Sequence, residues 1–287
     1  AATILVRGKT TLYNVPNIQD VQTMFEIIKD IGGKVTRKNN KIIVDTSRIH
    51  TYEIPEELMR KMRSSVILAG AIIGKYHKAN FSYPGGCEIG ARPIDLHLKG
   101  FEKLEKYIKE EYGEIICNVE KMQGTQIHLD FPSVGATENI ILASCLAEGT
   151  TILTNAAKEP EIEDMVKFLN KAGARINGAG TDRIEIAGVK RLKDISYNIM
   201  PDRIEAGTYI MIGAITGGDI KITSANPEHI EPILNKLEDA NCTIDIGKNY
   251  VHIKAPKRIK SVDIKTMPYP GFPTDMQSIF GALLSTA

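Results

Sequence analysis

Ser133-Val134-Gly135-Ala136-Thr137, an apolar run through Leu146, and then Gly149-Thr150-Thr151-Ile152-Leu153-Thr154-Asn155 form the stretch on which the fold turns. The first part opens a helix, the glycine ends it, and the β-branched run that follows has the makings of a strand. Behind the strand, Ile162, Met165, Val166 and Leu169 share one face of a second helix. Ala172-Gly173-Ala174-Arg175-Ile176 then leads through a turn to a strand over 183–186. The order is helix, strand, helix, hairpin.

That order recurs. Arg203-Ile204-Glu205-Ala206-Gly207-Thr208 opens a helix, 219–223 reads as the strand, and Ile230, Ile233, Leu234 and Leu237 mark the second helix before a hairpin over 242–246 and 250–253. A further copy runs from Arg63 through a strand over 79–83 and a helix carrying Leu104, Tyr107 and Ile108, with strands over 115–119 and 126–129. The earliest has a strand over 10–13, the stripe Val21, Met24, Phe25, Ile28 and Ile31, and strands over 34–36 and 41–44. Such recurrence at a fixed order marks a repeat architecture, here of the α/β class. Two domains are expected, 1–200 and 201–287, the second incomplete. Residues 1–8 align with 142–149, the tail of a first helix, and the helix opened by Thr274-Asp275 has no strand after it. The expectation is a piece of a longer protein.

A chain of 287 residues exceeds one typical domain. Its 36 Lys and Arg against 35 Asp and Glu give a net charge of +1, which argues against nucleic-acid or membrane-surface partners. No signal peptide opens it and no apolar run is long enough to span a bilayer. The four cysteines lack metal-type spacing; Cys117, Cys145 and Cys242 sit in apolar-periodic segments and read as small buried hydrophobes. A cytoplasmic protein without a metal is expected.

One copy departs from the others. Where Asn14-Val15-Pro16 or Asn155-Ala156-Ala157 briefly joins strand to second helix, the copy opened by Arg63 carries Tyr83-Pro84-Gly85-Gly86-Cys87-Glu88-Ile89-Gly90-Ala91-Arg92-Pro93-Ile94-Asp95-Leu96-His97. Glycines let backbone N–H groups approach an anion, and Arg92 adds a fixed cationic fork. A thiol so flanked favours thiolate and is a candidate acid or nucleophile. The plain alternative is a surface loop with a chance cysteine. An insertion at one place in a repeat array usually serves function.

Helix starts supply the remaining candidates: Arg63-Ser64-Ser65, Ser133-Val134-Gly135, Arg203-Ile204-Glu205 and Thr274-Asp275. Unpaired N–H groups and the positive end of the helix dipole favour phosphate and carboxylate there. Ser133, Thr274 and Asp275 can equally be caps, each worth about 1 kcal/mol. Asp275 follows Met267-Pro268-Tyr269-Pro270-Gly271-Phe272-Pro273-Thr274, where three prolines stiffen the backbone ahead of it, as suits a placed catalytic carboxylate.

Pro84-Gly85-Gly86-Cys87, Ile89-Gly90-Ala91-Arg92-Pro93, Ser133-Val134-Gly135-Ala136-Thr137, Pro201-Asp202-Arg203-Ile204-Glu205-Ala206-Gly207-Thr208 and Pro270-Gly271-Phe272-Pro273-Thr274-Asp275-Met276-Gln277, in this order, resemble the UDP-N-acetylglucosamine 1-carboxyvinyltransferase family. The resemblance spans essentially the whole chain. It implies an inside-out α/β barrel of two similar domains, each of three repeats, and transfer of the enolpyruvyl group of phosphoenolpyruvate to the sugar 3-hydroxyl with release of phosphate. This is the first committed step of peptidoglycan synthesis. It implies Cys87 as proton donor, able to form a covalent adduct with the pyruvyl carbon, and Asp275 as the carboxylate facing the sugar hydroxyl. Arg92 would serve phosphate and nucleotide together. Pro93, Ile94, Asp95 and Leu96 would bind uridine, and Arg63, Phe131, Pro132, Ser133 and Val134 would add contacts to the UDP-sugar. No cofactor is implied, phosphoenolpyruvate being a co-substrate. Glu88 departs from the small residue often found there, and His97 follows the pattern without revealing whether its role is structural or catalytic. The family's Lys-Asn pair and the second-domain arginines that grip phosphoenolpyruvate have no counterpart in this sequence.

Two alternatives stand beside this one. The sister 5-enolpyruvylshikimate-3-phosphate synthases share the fold and the transferred group but lack the cysteine loop. A catalytically dead copy would bind the UDP-sugar without turnover.

Overall fold

The computed structural model describes residues 1–38, 41–85, 93–104 and 108–287. They form two compact units, Ala1–Ile199 and Met200–Ala287.

The first unit opens with a short 3-10 turn, Ala2–Leu5. Strand β1 (Lys9–Tyr13), helix α1 (Gln19–Asp30) and the hairpin β2 (Lys34–Lys38) and β3 (Lys41–Asp45) complete its first repeat. The second comprises α2 (Glu56–Arg60), a 3-10 turn at Arg63–Val66 running into α3 (Ile67–Tyr76), β4 (Lys78–Ser82), α4 (Asp95–Leu104), β5 (Ile108–Glu111) and β6 (Glu114–Asn118). The third comprises β7 (Gln126–His128), α5 (Val134–Ser144), β8 (Thr150–Thr154), α6 (Pro160–Lys171), β9 (Arg175–Asn177) and β10 (Arg183–Ala187), followed by β11 (Ile195–Asn198).

Helices α3 and α5 are apolar on nearly every side and correspondingly buried, as a helix without a polar face must be. The sheets flank this helical interior and alternate between buried and exposed residues, as in the pattern of β10. Helices therefore lie inside and half-exposed sheets outside, the inverse of an ordinary α/β barrel. Gly70 and Gly74 permit the central contact. A Cβ on Gly70 would stand 2.4 Å from the Asn139 carbonyl oxygen, and one on Gly74 would stand 2.7 Å from that of Leu142. Helix α1 instead packs on its own sheet, through Phe25 and Ile28 against Ile42 and Val44.

Three sheets belong to this unit, in the orders β11-β1-β3-β2, β4-β6-β5 and β7-β8-β10-β9. Strand β7 lies parallel to β8, and β11 lies parallel to β1. The same device seals both parallel joints. Asn155 and Asn14 end the central strands with φ of 54° and 58°. Their side-chain amides donate to Leu129 O at 2.7 Å and Ile199 O at 3.0 Å. Asparagine tolerates this left-handed backbone better than most residues.

The sequence reading of the second repeat needs correction in two places. Leu104 ends α4, whereas Ile108 begins β5 rather than continuing the helix; Tyr107 lies outside the described residues. The hairpin pairs β5 with β6, not 115–119 with 126–129. Its two-residue turn, Tyr112-Gly113, has both φ values positive, at 51° and 84°. That is the geometry the twist of a tight hairpin demands, reached here without the usual asparagine. The segment read as the second hairpin strand becomes β7 and joins the next sheet.

The second unit holds α7 (Arg203–Ile215), β12 (Asp219–Thr223), a 3-10 turn at Pro227–Ile230, α8 (Glu231–Asp239), β13 (Thr243–Gly247), β14 (Tyr250–Lys254) and, after a 3-10 turn at Thr274–Met276, α9 (Gln277–Leu284). Its sheet runs β12-β14-β13. Ile210 and Met211 of α7, Ile233 and Leu237 of α8, and Val251 and Ile253 of β14 make one core with Phe272, Met276 and Phe280.

Candidate active site

In the first unit the N-terminal turns of three helices meet at Gly135. A Cβ placed there would lie 3.0 Å from His97 Cε1 of α4 and 3.6 Å from Ile67 Cδ1 of α3. A side chain there would press on the imidazole, so glycine lets the two helix starts come this close. Ser133 caps α5, its hydroxyl accepting from Ala136 N at 3.3 Å, so the capping role foreseen for it is real. Pro132, Ser133 and Val134 are half-buried, and Phe131 is 58% exposed, an aromatic face held free beside a helix start. Lys99 of α4 donates to Asp130 and so fastens the turn before α5, holding the Asp130 carboxyl below its usual range.

Arg63 begins the turn into α3, and its Nη2 donates to Pro93 O at 3.4 Å. Ile94 is buried, and its carbonyl accepts the N–H groups of His97 and Leu98, which fixes the first turn of α4. Pro93 and Asp95 are left exposed and Leu96 half-buried. Arg63, Pro93, Ile94, Asp95, Leu96, Phe131, Pro132, Ser133 and Val134 thus all stand at or beside the starts of α3, α4 and α5.

His97 is 6% exposed and its pKa is lowered to about 4, chiefly by desolvation, then by Arg63, with Asp95 acting the other way. Its Nδ1 lies 2.7 Å from Nδ2 of Asn139, which also donates to Val66 O at 3.0 Å. Asn139 is a residue that sequence reasoning missed. The available signal was a lone amide in the apolar run of α5, a cost that only a satisfied hydrogen-bond network offsets. Glu138, its neighbour, was also passed over. Desolvation, together with Glu161 and Glu159, raises it to about 7.

Cys87 and Arg92 lie outside the described residues. The chain on either side of them is well anchored. Tyr83 donates to Glu110 of β5, and Gly85 packs so tightly that a Cβ would stand 1.9 Å from Arg60 O of α2. The remaining cysteines, Cys117, Cys145 and Cys242, are buried free thiols. Burial pushes Cys117 and Cys145 up to about 12, the opposite of what a reactive thiol needs.

In the second unit Asp275 occupies the 3-10 turn ahead of α9 and is exposed. No side chain caps that turn or α9, so Asp275 is not a helix cap. Its loop is closed by Met267 N donating to Phe272 O at 3.1 Å and Gly271 N to Pro268 O at 2.8 Å, with Tyr269-Pro270 in cis. Among the described residues no group of three or more His, Cys, Asp or Glu could hold a metal ion.

The chain matches the family model of EPSP synthase (3-phosphoshikimate 1-carboxyvinyltransferase) over residues 1–287. It is 52% identical over 288 residues to UDP-N-acetylglucosamine 1-carboxyvinyltransferase 2 of Caldanaerobacter subterraneus subsp. tengcongensis, covering 100% of this chain and 69% of that one. It is 48% identical over 287 residues to UDP-N-acetylglucosamine 1-carboxyvinyltransferase 1 of Carboxydothermus hydrogenoformans, covering 100% of this chain and 68% of the relative. Among solved structures it is similar to the enolpyruvyl transferase NikO of Streptomyces tendae, with a TM-score of 0.86 and 20% identity over 100% of this chain and 69% of that one. EPSP synthase of Acinetobacter baumannii gives a TM-score of 0.67 and 17% identity over 92% and 64% of the two chains. At such identities the structural likeness speaks for the fold.

Proposed function

Since this chain belongs to the EPSP synthase family of enolpyruvyl transferases, we propose that it transfers the enolpyruvyl group of phosphoenolpyruvate to the 3-hydroxyl of UDP-N-acetylglucosamine and releases phosphate. One observation carries the choice of acceptor. Relatives of that name are 45–52% identical over the whole chain, whereas the EPSP synthase structure is 17% identical. The reading makes the protein a transferase of peptidoglycan synthesis working in the cytoplasm. No helix of the described residues is long and apolar enough to cross a membrane.

In this reading the reaction is an addition followed by an elimination. Cys87 gives a proton to the methylene carbon of phosphoenolpyruvate as the sugar oxygen bonds to C2, and Asp275 takes the hydroxyl proton. In the elimination the Cys87 thiolate takes a proton back from the new methyl group and phosphate leaves C2 with the proton that Asp275 had taken, restoring the vinyl group on the sugar ether. Arg92 holds the phosphate charge. Pro93, Ile94, Asp95 and Leu96, with Arg63, Phe131, Pro132, Ser133 and Val134, take the nucleotide sugar. The helix starts that meet at Gly135 supply N–H groups and partial positive charge for the diphosphate. Neither a metal nor an organic cofactor is invoked. Cys87 is also able to attack the pyruvyl carbon and form an adduct.

Phosphate release from phosphoenolpyruvate, dependent on UDP-N-acetylglucosamine, is the direct assay, run beside calorimetric titration of the nucleotide sugar. Fosfomycin, an epoxide, should alkylate Cys87 in preference to the buried thiols, as mass mapping would show. Calorimetric binding without phosphate release would favour a non-catalytic binder, and release with shikimate 3-phosphate as sole acceptor would favour the sister activity.

A further inference from the structure

Arg203 is in an unfavourable place. It is the first residue of α7, at the positive end of the helix dipole, and it is 8% exposed. A cation there works against the dipole and loses hydration, so helix stability alone does not account for it. Asp202 already caps the helix, its Oδ1 accepting from Ile204 N at 2.8 Å and Glu205 N at 3.0 Å. One group that Arg203 meets is the ring of Tyr269, with the guanidinium carbon 5.7 Å from its centroid. One turn further along α7, a Cβ on Gly207 would lie 3.0 Å from Met276 Cε and 3.2 Å from Met276 Sδ. Residues four apart share a helix face, so one face of α7 receives both Tyr269 and Met276.

Those two residues bracket Asp275. Between them, Phe272 packs edge-on against Phe280 of α9 with centroids 5.3 Å apart. We propose that Arg203 is a positioning residue for Asp275, holding Tyr269, and through it the segment 267–275, on the first turns of α7. The idea that Asp275 has a catalytic task rests on the functional reading above; that Arg203 fixes its segment does not. A cation over an aromatic face gains most where water is kept away; here the guanidinium is buried and the ring of Tyr269 half-buried.

Hydrogen–deuterium exchange on this chain tests the proposal at the amides of Met267, Gly271 and Met276, which are bonded within the segment. Arg203→Met and Tyr269→Leu should each speed exchange there about tenfold or more while amides of α8 and β14 stay as they were. Tyr269→Phe, which keeps the ring face, should loosen the segment less than Tyr269→Leu does. In the transfer assay Arg203→Met should lower kcat about tenfold or more and shift KM for UDP-N-acetylglucosamine less than about threefold, because position rather than binding is lost. Unchanged exchange in both variants overturns the proposal. So does loosening spread evenly over the second unit, or Tyr269→Phe behaving like Tyr269→Leu. If the unaltered protein transfers no enolpyruvyl group, the functional reading fails and the exchange result still decides the role of Arg203.

Discussion

Asn139 dictates the tautomer of His97. Gly70 N donates to Asn139 Oδ1 at 2.8 Å and Val66 O accepts from Nδ2, so two backbone groups of the α3 segment fix which way the amide points. The Nδ2 that faces His97 Nδ1 at 2.7 Å can only donate. Nδ1 therefore accepts, and a neutral His97 carries its proton on Nε2. One amide of α5 thus ties the start of α3 to the first turn of α4.

The first prediction follows from that lock. The folded state keeps His97 neutral down to about 4, whereas the unfolded chain takes up the proton near 6.5. Between those values the unfolded state binds more protons, so stability should fall as pH drops from 6.5 toward 4 and level off below. The fall due to this group should be about 3 kcal/mol. Urea titrations across this range should show it, and His97→Gln should flatten the slope. A parent and variant with equal slopes would exclude His97 as the source.

Removing the amide should be costly at any pH. Asn139→Ala strips partners from Val66 O and Gly70 N in a fully buried place, so a loss of about 2–4 kcal/mol is expected. A midpoint shift in urea measures it, and a change below half a kcal/mol would mean that water replaces the amide.

Two glycines should answer the same substitution with opposite signs. Alanine gains about 1 kcal/mol over glycine inside a helix. At Gly70 the new Cβ would meet the Asn139 carbonyl oxygen at 2.4 Å, which is backbone and cannot swing away. Overpacking of that kind costs about 1–3 kcal/mol or more, so Gly70→Ala should lower stability. At Gly281 of α9 nothing lies within 4 Å, and Gly281→Ala should raise it by about 0.5–1 kcal/mol. Thermal melts of the two variants give the signs directly.

What the sequence revealed of this fold was what local pattern encodes. The stripe of α1 and the alternation in β8 and β10 appear where expected because each element buries one face. Ile108 misled because Leu104 and Ile108 are spaced like helical neighbours, although the helix ends at Leu104. Strand β11 went unread because its four residues gain meaning only from β1, which lies about 185 positions earlier. The site divides in the same way. The insertion carrying Cys87 and the proline-rich run before Asp275 stand out by composition, whereas Asn139 matters through His97, 42 residues away, and Arg203 through Tyr269. Neither contact leaves a trace in local periodicity.

Within the proposed reaction, acidity rather than nucleophilicity should be what Cys87 contributes to turnover. Cys87→Asp keeps an acidic proton donor and removes the thiol, so transfer should persist while fosfomycin ceases to inhibit. Cys87→Ser offers a far weaker acid and should lose turnover by about a hundredfold or more, the scale of a missing general acid. Steady-state assays with and without the epoxide separate the two, and an inactive Cys87→Asp beside an active Cys87→Ser would overturn the assignment.

Asp275 provides the sharpest test of the functional reading. It is exposed, and no cap hydrogen bond ties it to the turn it occupies. Meanwhile its neighbours are held: Met276 is buried, Phe272 packs on Phe280, and the 267–272 turn is closed by backbone hydrogen bonds. A carboxylate held free on a rigid segment suits a group that meets its partner only when substrate is bound. Asp275→Asn preserves size and should leave the melting temperature unchanged, with affinity for UDP-N-acetylglucosamine within about tenfold of the parent. Turnover should nevertheless fall by about a hundredfold or more, because an amide cannot accept the hydroxyl proton. Calorimetry and phosphate release, read on one preparation, check both halves. Undiminished turnover would remove Asp275 from the chemistry, and the placement of the second unit's proline-rich turn would then need a different explanation.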